Sequence, residues 1–346
     1  MSPTRTRSAR FKRPRNLPPL KLTERQKIAI QIVYAYGRIT TDQLVALMPG
    51  SEQKNCRLLR QLYRHRYLNR KKISNNDPIL YSPAKRGVDE IAMEIDLPTS
   101  SVEWTTKNRE FKLGSVPHTR GINNLRFSLE MSLLQLPGAE MLFWYPDKTF
   151  RKSVTYTVDG ERRTKRCTPD SFWCIDYRGH RHGGLYEFDN STMAGTTKTE
   201  ASRIFEKLEA LWQLWLKWRE RGFADRLGVD SLRLFYVTKS EQRKENIREL
   251  ARYVGDQRNG SDFFWFACQK TYQDNPFNVM SHIWQTPRDD TYKAIFGNTV
   301  GDIAGRTHDT RGPMPPLSLD PNTLRLPFTQ PLLHETTHLD AAVTAR

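Results

Sequence analysis

The stretch CTPDSFWCIDYRGHRHGGLYEFDNST, residues 167–192, decides how the larger part of this chain is read. Side chains alternate along a strand, so in LYEFD Glu187 and Asp189 project to one face, about 7 Å apart at their α-carbons, and Tyr186 and Phe188 to the other. In the segment before it, Asp170, Phe172 and Cys174 share one face while Trp173 and Ile175 share the other. A turn through Gly179 and Gly183-Gly184 makes the two segments neighbouring strands. If the register allows, Asp170 then meets Glu187 across the sheet. Two or three carboxylates converging in this way repel one another unless a cation lies between them, and Mg²⁺ accepts one or two carboxylates together with waters and phosphate oxygens. The plainer reading is of solvated acids at strand ends, with Asp170 in a simple turn after Pro169.

Working outward, HTRGINNLRFSLEMSLLQL carries Ile122, Leu125, Leu129 and Leu133 on one helical face, and AEMLFWYPD reads as a strand. Beyond the opening stretch, TEASRIFEKLEALWQLWLKWRERG is a helix with Ile204, Leu208, Leu211, Trp215 and Trp218 on one stripe. SLRLFYVTKS is apolar enough for a buried strand. The expected order is helix, three strands, helix, strand, a mixed α/β arrangement. Trp212, Trp215 and Trp218 share the stripe that must face the sheet, so packing explains them better than base stacking. His180 and His182 fall in the expected turn, where they suit a phosphate contact better than a ligand set. Cys56, Cys167, Cys174 and Cys268 contain no CxxC pair and fit no common zinc spacing with these histidines, so reduced, mostly buried thiols are expected.

Residues 21–98 form a separate reading. TERQKIAIQIVYAYG has helical spacing at Ile28, Ile32, Val33 and Tyr36, with Thr23 as N-cap and Gly37 as the stop. TTDQLVALM starts at a threonine cap and ends at Pro49-Gly50. SEQKNCRLLRQLYRHRYLNRKK is a third helix whose Leu58, Leu59 and Leu62 face inward. Lys54, Asn55, Arg57, Arg60 and Arg64 fall on or beside its opposite face, and the positive charge continues through Arg70, Lys71 and Lys72. YLNRKKI and ILYSPA flank the turn formers SNNDP. Helix, helix, basic helix, hairpin is the order of a winged helix, in which the third helix enters the major groove and the hairpin lies against phosphates. Those eight polar and basic residues are therefore the candidate DNA contacts, the alternative being a protein-binding winged helix.

The whole chain supports a polyanionic partner, because a formal charge of +17 over 346 residues is far from neutrality. No apolar run approaches the roughly 20 residues that span a bilayer, which excludes a membrane protein of the helical kind and makes the cytoplasm the expected location. The basic N-terminus, residues 1–20, lacks the apolar segment of a secretory signal and reads as a disordered tail. A Ser/Thr-rich linker, 99–115, joins the two folded regions, 21–98 and 116–300. The Pro-rich residues 301–346 read as a second disordered tail.

TPD before one strand and EFDNST on the next, within that element order, resemble the PD-(D/E)xK nuclease core. Together with LTERQ, RLLRQLYRHRYLNR, PHTRGINNLRFSL and FEKLEALW, they resemble the replication-relaxation family of plasmids and other mobile elements, which includes relaxases of the MobC type. The resemblance covers about residues 21–240. It implies a winged helix followed by an αβββαβ nuclease-like core, with Asp170 and Glu187 as ligands of Mg²⁺ or Mn²⁺ and Glu130 as a further ligand. Where the nuclease pattern has lysine two residues after the glutamate, this chain has Asp189, which joins Asp170 and Glu187 as a candidate catalytic residue. Lys207 is the candidate replacement for the missing lysine and Lys198 the second choice. The implied activity is metal-dependent nicking of double-stranded DNA at an origin, with a homodimer or accessory mobilisation and replication proteins as further partners. The alternative is a catalytically inactive DNA-binding regulator of replication, transfer or transcription.

Overall fold

The computed structural model describes residues 13, 17–72, 77–96, 98, 115–146, 150–158, 160–191, 198–254 and 261–296. The expected tail 301–346, most of 1–20, all of the linker 99–115 except Ser115, and Ser74 to Asn76 of the expected turn lie outside these residues. The chain divides into two compact units, one running to Asn123 and the other starting at Asn124.

In the first unit, α1 (Glu24–Tyr36) begins at a capping box in which Thr23 accepts from the Gln26 N–H and Gln26 accepts from the Thr23 N–H, satisfying two donors at the helix end. Gly37, at φ 63°, ends it. The same device, Thr40 with Gln43, starts α2 (Thr41–Leu47) directly after the short β1 (Ile39–Thr40). Then come α3 (Glu52–Arg64), β2 (Leu68–Lys71), β3 (Leu80–Pro83) and α4 (Lys85–Glu94). Ile30, Val33, Leu44, Leu59, Leu62 and Leu68 are fully buried. The helix, helix, basic helix, hairpin order is present. β1 adds a third strand, in the order β1-β3-β2, and α4 follows the hairpin; neither was read from the sequence.

The helix α5 (Val116–Leu133) leads into the second unit, which contains β4 (Ala139–Pro146), β5 (Lys152–Val158), β6 (Glu161–Cys167), β7 (Ser171–Tyr177), β8 (His180–Asp189), α6 (Lys198–Glu220), α7 (Phe223–Leu227), β9 (Ser231–Thr238), α8 (Glu241–Ala251), β10 (Phe264–Cys268), α9 (Lys270–Gln273), β11 (Trp284–Gln285) and β12 (Tyr292–Lys293). Seven strands form one mixed sheet in the order β12-β11-β10-β9-β8-β7-β4. β4, β7 and β8 are antiparallel neighbours, while β8, β9 and β10 run parallel. Phe172, Cys174, Leu185, Leu234 and Phe264 on one face pack with Leu208, Leu211 and Trp212 of α6 and Ile247 of α8. On the other face Tyr186 meets the Trp144 ring, over which Arg126 of α5 lies.

The expected helix, three strands, helix, strand order is therefore the centre of a larger sheet. Three corrections apply. β5 and β6, absent from the sequence reading, pair only with each other between β4 and β7. β10, β11 and β12 extend the sheet beyond the last strand read. Finally, the turn between β7 and β8 is Arg178-Gly179, both at positive φ, whereas Gly183 and Gly184 lie buried within β8. Gly184 is required there by close approach, since a Cβ would overlap the indole of Trp173 across the strand pair. His180 and His182 consequently sit on a strand, not in a turn. The tryptophans of α6 pack as expected, Trp212 and Trp215 stacking at 4.7 Å in the core cluster. All four cysteines are free thiols, three of them buried.

Candidate functional site

The register of β7 against β8 pairs Ser171 with Tyr186, so Asp170, one residue before the ladder, lies opposite Glu187. Two backbone-linked contacts hold it there. The Asp170 N–H donates to the Tyr186 carbonyl at 2.9 Å, and Asp170 Oδ2 accepts from the Phe188 N–H at 2.8 Å. Glu187 is 3% exposed on the face covered by α6. From that helix Lys207 reaches down and donates through Nζ to Glu187 Oε2, although 45% of the lysine side chain is exposed. Burial opposes the lysine's charge, but Glu187, Asp170 and Asp189 outweigh it and raise its pKa above the usual value. Asp170, Glu187 and Lys207 are thus brought together as the sequence suggested.

Asp189 is turned to a different task. Its Oδ2 accepts from Arg243 Nε of α8 at 2.9 Å and its Oδ1 from the Ser191 N–H at 2.8 Å. The same guanidinium, 2% exposed, also donates to Glu200 at the start of α6. Glu130 is held by Arg126, one turn earlier on α5, at 2.8 Å. Sequence reasoning missed Arg243 because α8 was never read. An aspartate on the same inward face as Glu187, two residues on, implies a cation, and that was the available signal. It also missed Tyr236, which the parallel register sets beside Glu187. Burial, then Asp189 and Glu187, push that phenol well above its ordinary pKa. The side chain of Lys198 lies outside the described residues.

On α3, Lys54, Arg57, Arg60 and Arg64 are exposed and make no ion pair among the described residues. Arg66 extends the surface from a left-handed conformation, φ 67°, in the turn after the helix. Arg70 of β2 is half-buried, its guanidinium 4.6 Å from the Tyr63 ring centre; Lys71 is half-buried and Lys72 exposed. Asn55 is corrected: it is fully buried, accepts from Arg25 and donates to the Met48 carbonyl at 3.4 Å, so it ties α3 to the preceding turn instead of facing a ligand.

A family model described as Replication-relaxation matches residues 30–227, more than half of the chain. The chain belongs to the replication-relaxation family. No curated protein and no solved structure matches it. The matched span includes the α3 surface, Asp170, Glu187, Asp189 and Lys207, and ends at α7, before Tyr236 and Arg243. Membership points to the replication or mobilisation of plasmids and related elements. No described helix is long and apolar enough to cross a membrane. For a divalent cation, the donor set is small. Among the described residues no three His, Cys, Asp or Glu side chains gather in a metal-holding group. Asp170 and Glu187 alone match the one or two carboxylates that Mg²⁺ takes when waters and phosphate oxygens complete its shell.

Proposed function

We propose that this replication-relaxation protein is a metal-dependent endonuclease that nicks duplex DNA at a plasmid or mobile-element origin. The observation carrying the proposal is the Lys207 amine bonded to Glu187 opposite Asp170. An amine beside two strand-end carboxylates, one of them buried, suits a phosphodiester, whose reaction develops negative charge on its oxygens. Asp170 and Glu187 would hold Mg²⁺ or Mn²⁺, which when bound supplies Lewis-acid polarisation of a phosphoryl oxygen. Lys207, kept protonated by its carboxylate neighbours, donates an N–H to an oxygen of the phosphate during in-line attack. Asp189 acts through Arg243, fixing the end of β8 on which Glu187 stands. Lys54, Arg57, Arg60, Arg64, Lys71 and Lys72, with Arg70 and Arg66 beside them, hold the duplex in the manner of a winged helix.

The test is conversion of supercoiled plasmid carrying the cognate origin to open circles in Mg²⁺, with EDTA as control. Asp170→Ala, Glu187→Ala and Lys207→Ala should each abolish it while leaving the gel shift intact. Uncut plasmid at protein concentrations where the shift is complete would sink the nuclease and leave the second reading, a DNA-binding regulator. That reading draws on the engagement of Asp189 and Glu130 by arginines, which takes two acids away from any metal.

A further inference from the structure

The hairpin β5–β6 has two unlike faces. Register pairs Val154 with Lys165, Tyr156 with Arg163 and Lys152 with Cys167 on the inner face. Val154, Tyr156 and Cys167 are buried in the core cluster with α6, and Lys165 is ion-paired to Glu206 of that helix. Lys217 of α6 donates to the Thr155 carbonyl at 2.8 Å, so backbone and side chains both fasten the ribbon to the helix that presents Lys207.

The outer face pairs Ser153 with Arg166, Thr155 with Thr164 and Thr157 with Arg162. It carries four hydroxyls and two guanidiniums, with no apolar and no acidic side chain among these six. Arg162, Thr164 and Arg166 are all exposed, and neither arginine has an ion pair among the described residues. A solvated strand face ordinarily mixes the two signs of charge; this one is cationic and hydroxylated throughout, the chemistry that binds phosphate oxygens. A two-stranded ribbon is also of a width that a duplex groove admits. Position strengthens the argument: Arg166 is four residues before Asp170, so their α-carbons are at most about 14 Å apart. That reach is about two phosphate spacings along a strand.

We infer that the outer face of the β5–β6 ribbon is a second duplex-DNA contact, seating the sugar-phosphate backbone beside Asp170, Glu187 and Lys207. The inference rests on the DNA-processing reading above and deepens it, because it separates positioning of the cut strand from docking by α3. Arg162 and Arg166 grip phosphates, and Ser153, Thr155, Thr157 and Thr164 offer hydroxyls between them.

The experiment titrates the full chain into labelled duplex DNA over a series of salt concentrations. It compares the wild type, Arg162→Ala/Arg166→Ala, the charge-preserving Arg162→Lys/Arg166→Lys, and Lys85→Ala/Arg221→Ala as a control of equal charge loss elsewhere on the surface. The ribbon alanine pair should bind about tenfold more weakly or worse, with a log K against log salt slope shallower by about 2. The lysine pair should recover most of the affinity, and the control pair should resemble wild type. Unchanged binding by the ribbon alanine pair, or an equal loss in the control pair, overturns the inference while wild-type binding stands. Failure of the wild type to bind duplex DNA at all overturns instead the reading on which it rests. Melting temperatures of the four proteins should agree. Should the alanine pair melt early, Thr164→Glu, which adds an acid to the same face, decides: weakened binding at a wild-type melting temperature supports the ribbon, and binding equal to wild type overturns it.

Discussion

Asp189 stands two residues after Glu187, and its carboxylate is bonded to a guanidinium that is almost wholly buried. Removing the acid takes from that charge the carboxylate bonded to its Nε, and breaking a buried pair is expensive, about 3 kcal/mol. Asp189→Ala should therefore shift the urea midpoint strongly to lower concentration. A midpoint within error of wild type would show that Arg243 does not depend on this acid. Lys207 behaves differently, since its stem is exposed and its amine alone is held. Its pKa is raised in the folded protein above the ordinary 10.5, so the contribution of its charge to stability is complete below about pH 10 and is lost as pH climbs through the raised value. Lys207→Met should flatten that alkaline segment of the stability curve measured by urea unfolding. Parallel wild-type and variant curves between pH 9 and 12 would contradict the pairing with Glu187. These two residues also show what was legible locally. Strand alternation grouped Asp170, Glu187 and Asp189 on one face, but alternation is blind to which carboxylate another element will claim.

At the scale of elements, β7 and β8 meet through a glycine. Trp173 occupies the space a side chain at Gly184 would need, and a methyl group there forces the indole or the strand to move. Gly184→Ala should cost about 1–3 kcal/mol, the usual penalty of overpacking, and read as a lower melting temperature with reduced near-ultraviolet dichroism from Trp173. An unchanged melting temperature would mean the pair is looser than its geometry. The two glycines were read from the sequence as a turn, because Gly-Gly is a turn signal when nothing tells where the tryptophan on the facing strand will lie. The β5–β6 ribbon was missed for a related reason. ERRTKRC has no apolar residue before Cys167, and the inner face to which Val154 and Tyr156 belong becomes visible once α6 is packed on it. Helices with strong local signals were read well: Thr23 and Thr40 are caps because their hydroxyls accept the donors that any helix start leaves open.

Over the whole molecule, the charge of +17 sets up a long-range field that attracts polyanions. If α3 is one of its seats, Arg57→Ala with Arg60→Ala should weaken duplex binding and make the salt dependence shallower by about 2, since each lost phosphate contact releases one fewer counterion. An unaltered slope would remove that face of α3 from the interface. Taken alone, the sequence determined the basic character of the chain, the capped helices of the first unit, the alternation that sorts carboxylates from aromatics, and the membership of the replication-relaxation family that the family match bears out. These are local or additive properties, set by spacing along the chain and by composition. Only the tertiary structure decided that Lys207 lies on Glu187, that Arg243 takes Asp189, that Asn55 is buried, and that a cationic ribbon runs up to Asp170. The Lys207–Glu187, Arg25–Asn55 and Arg243–Asp189 contacts join groups 20, 30 and 54 positions apart, the ribbon depends on which face a neighbouring helix covers, and no period within one element encodes such choices.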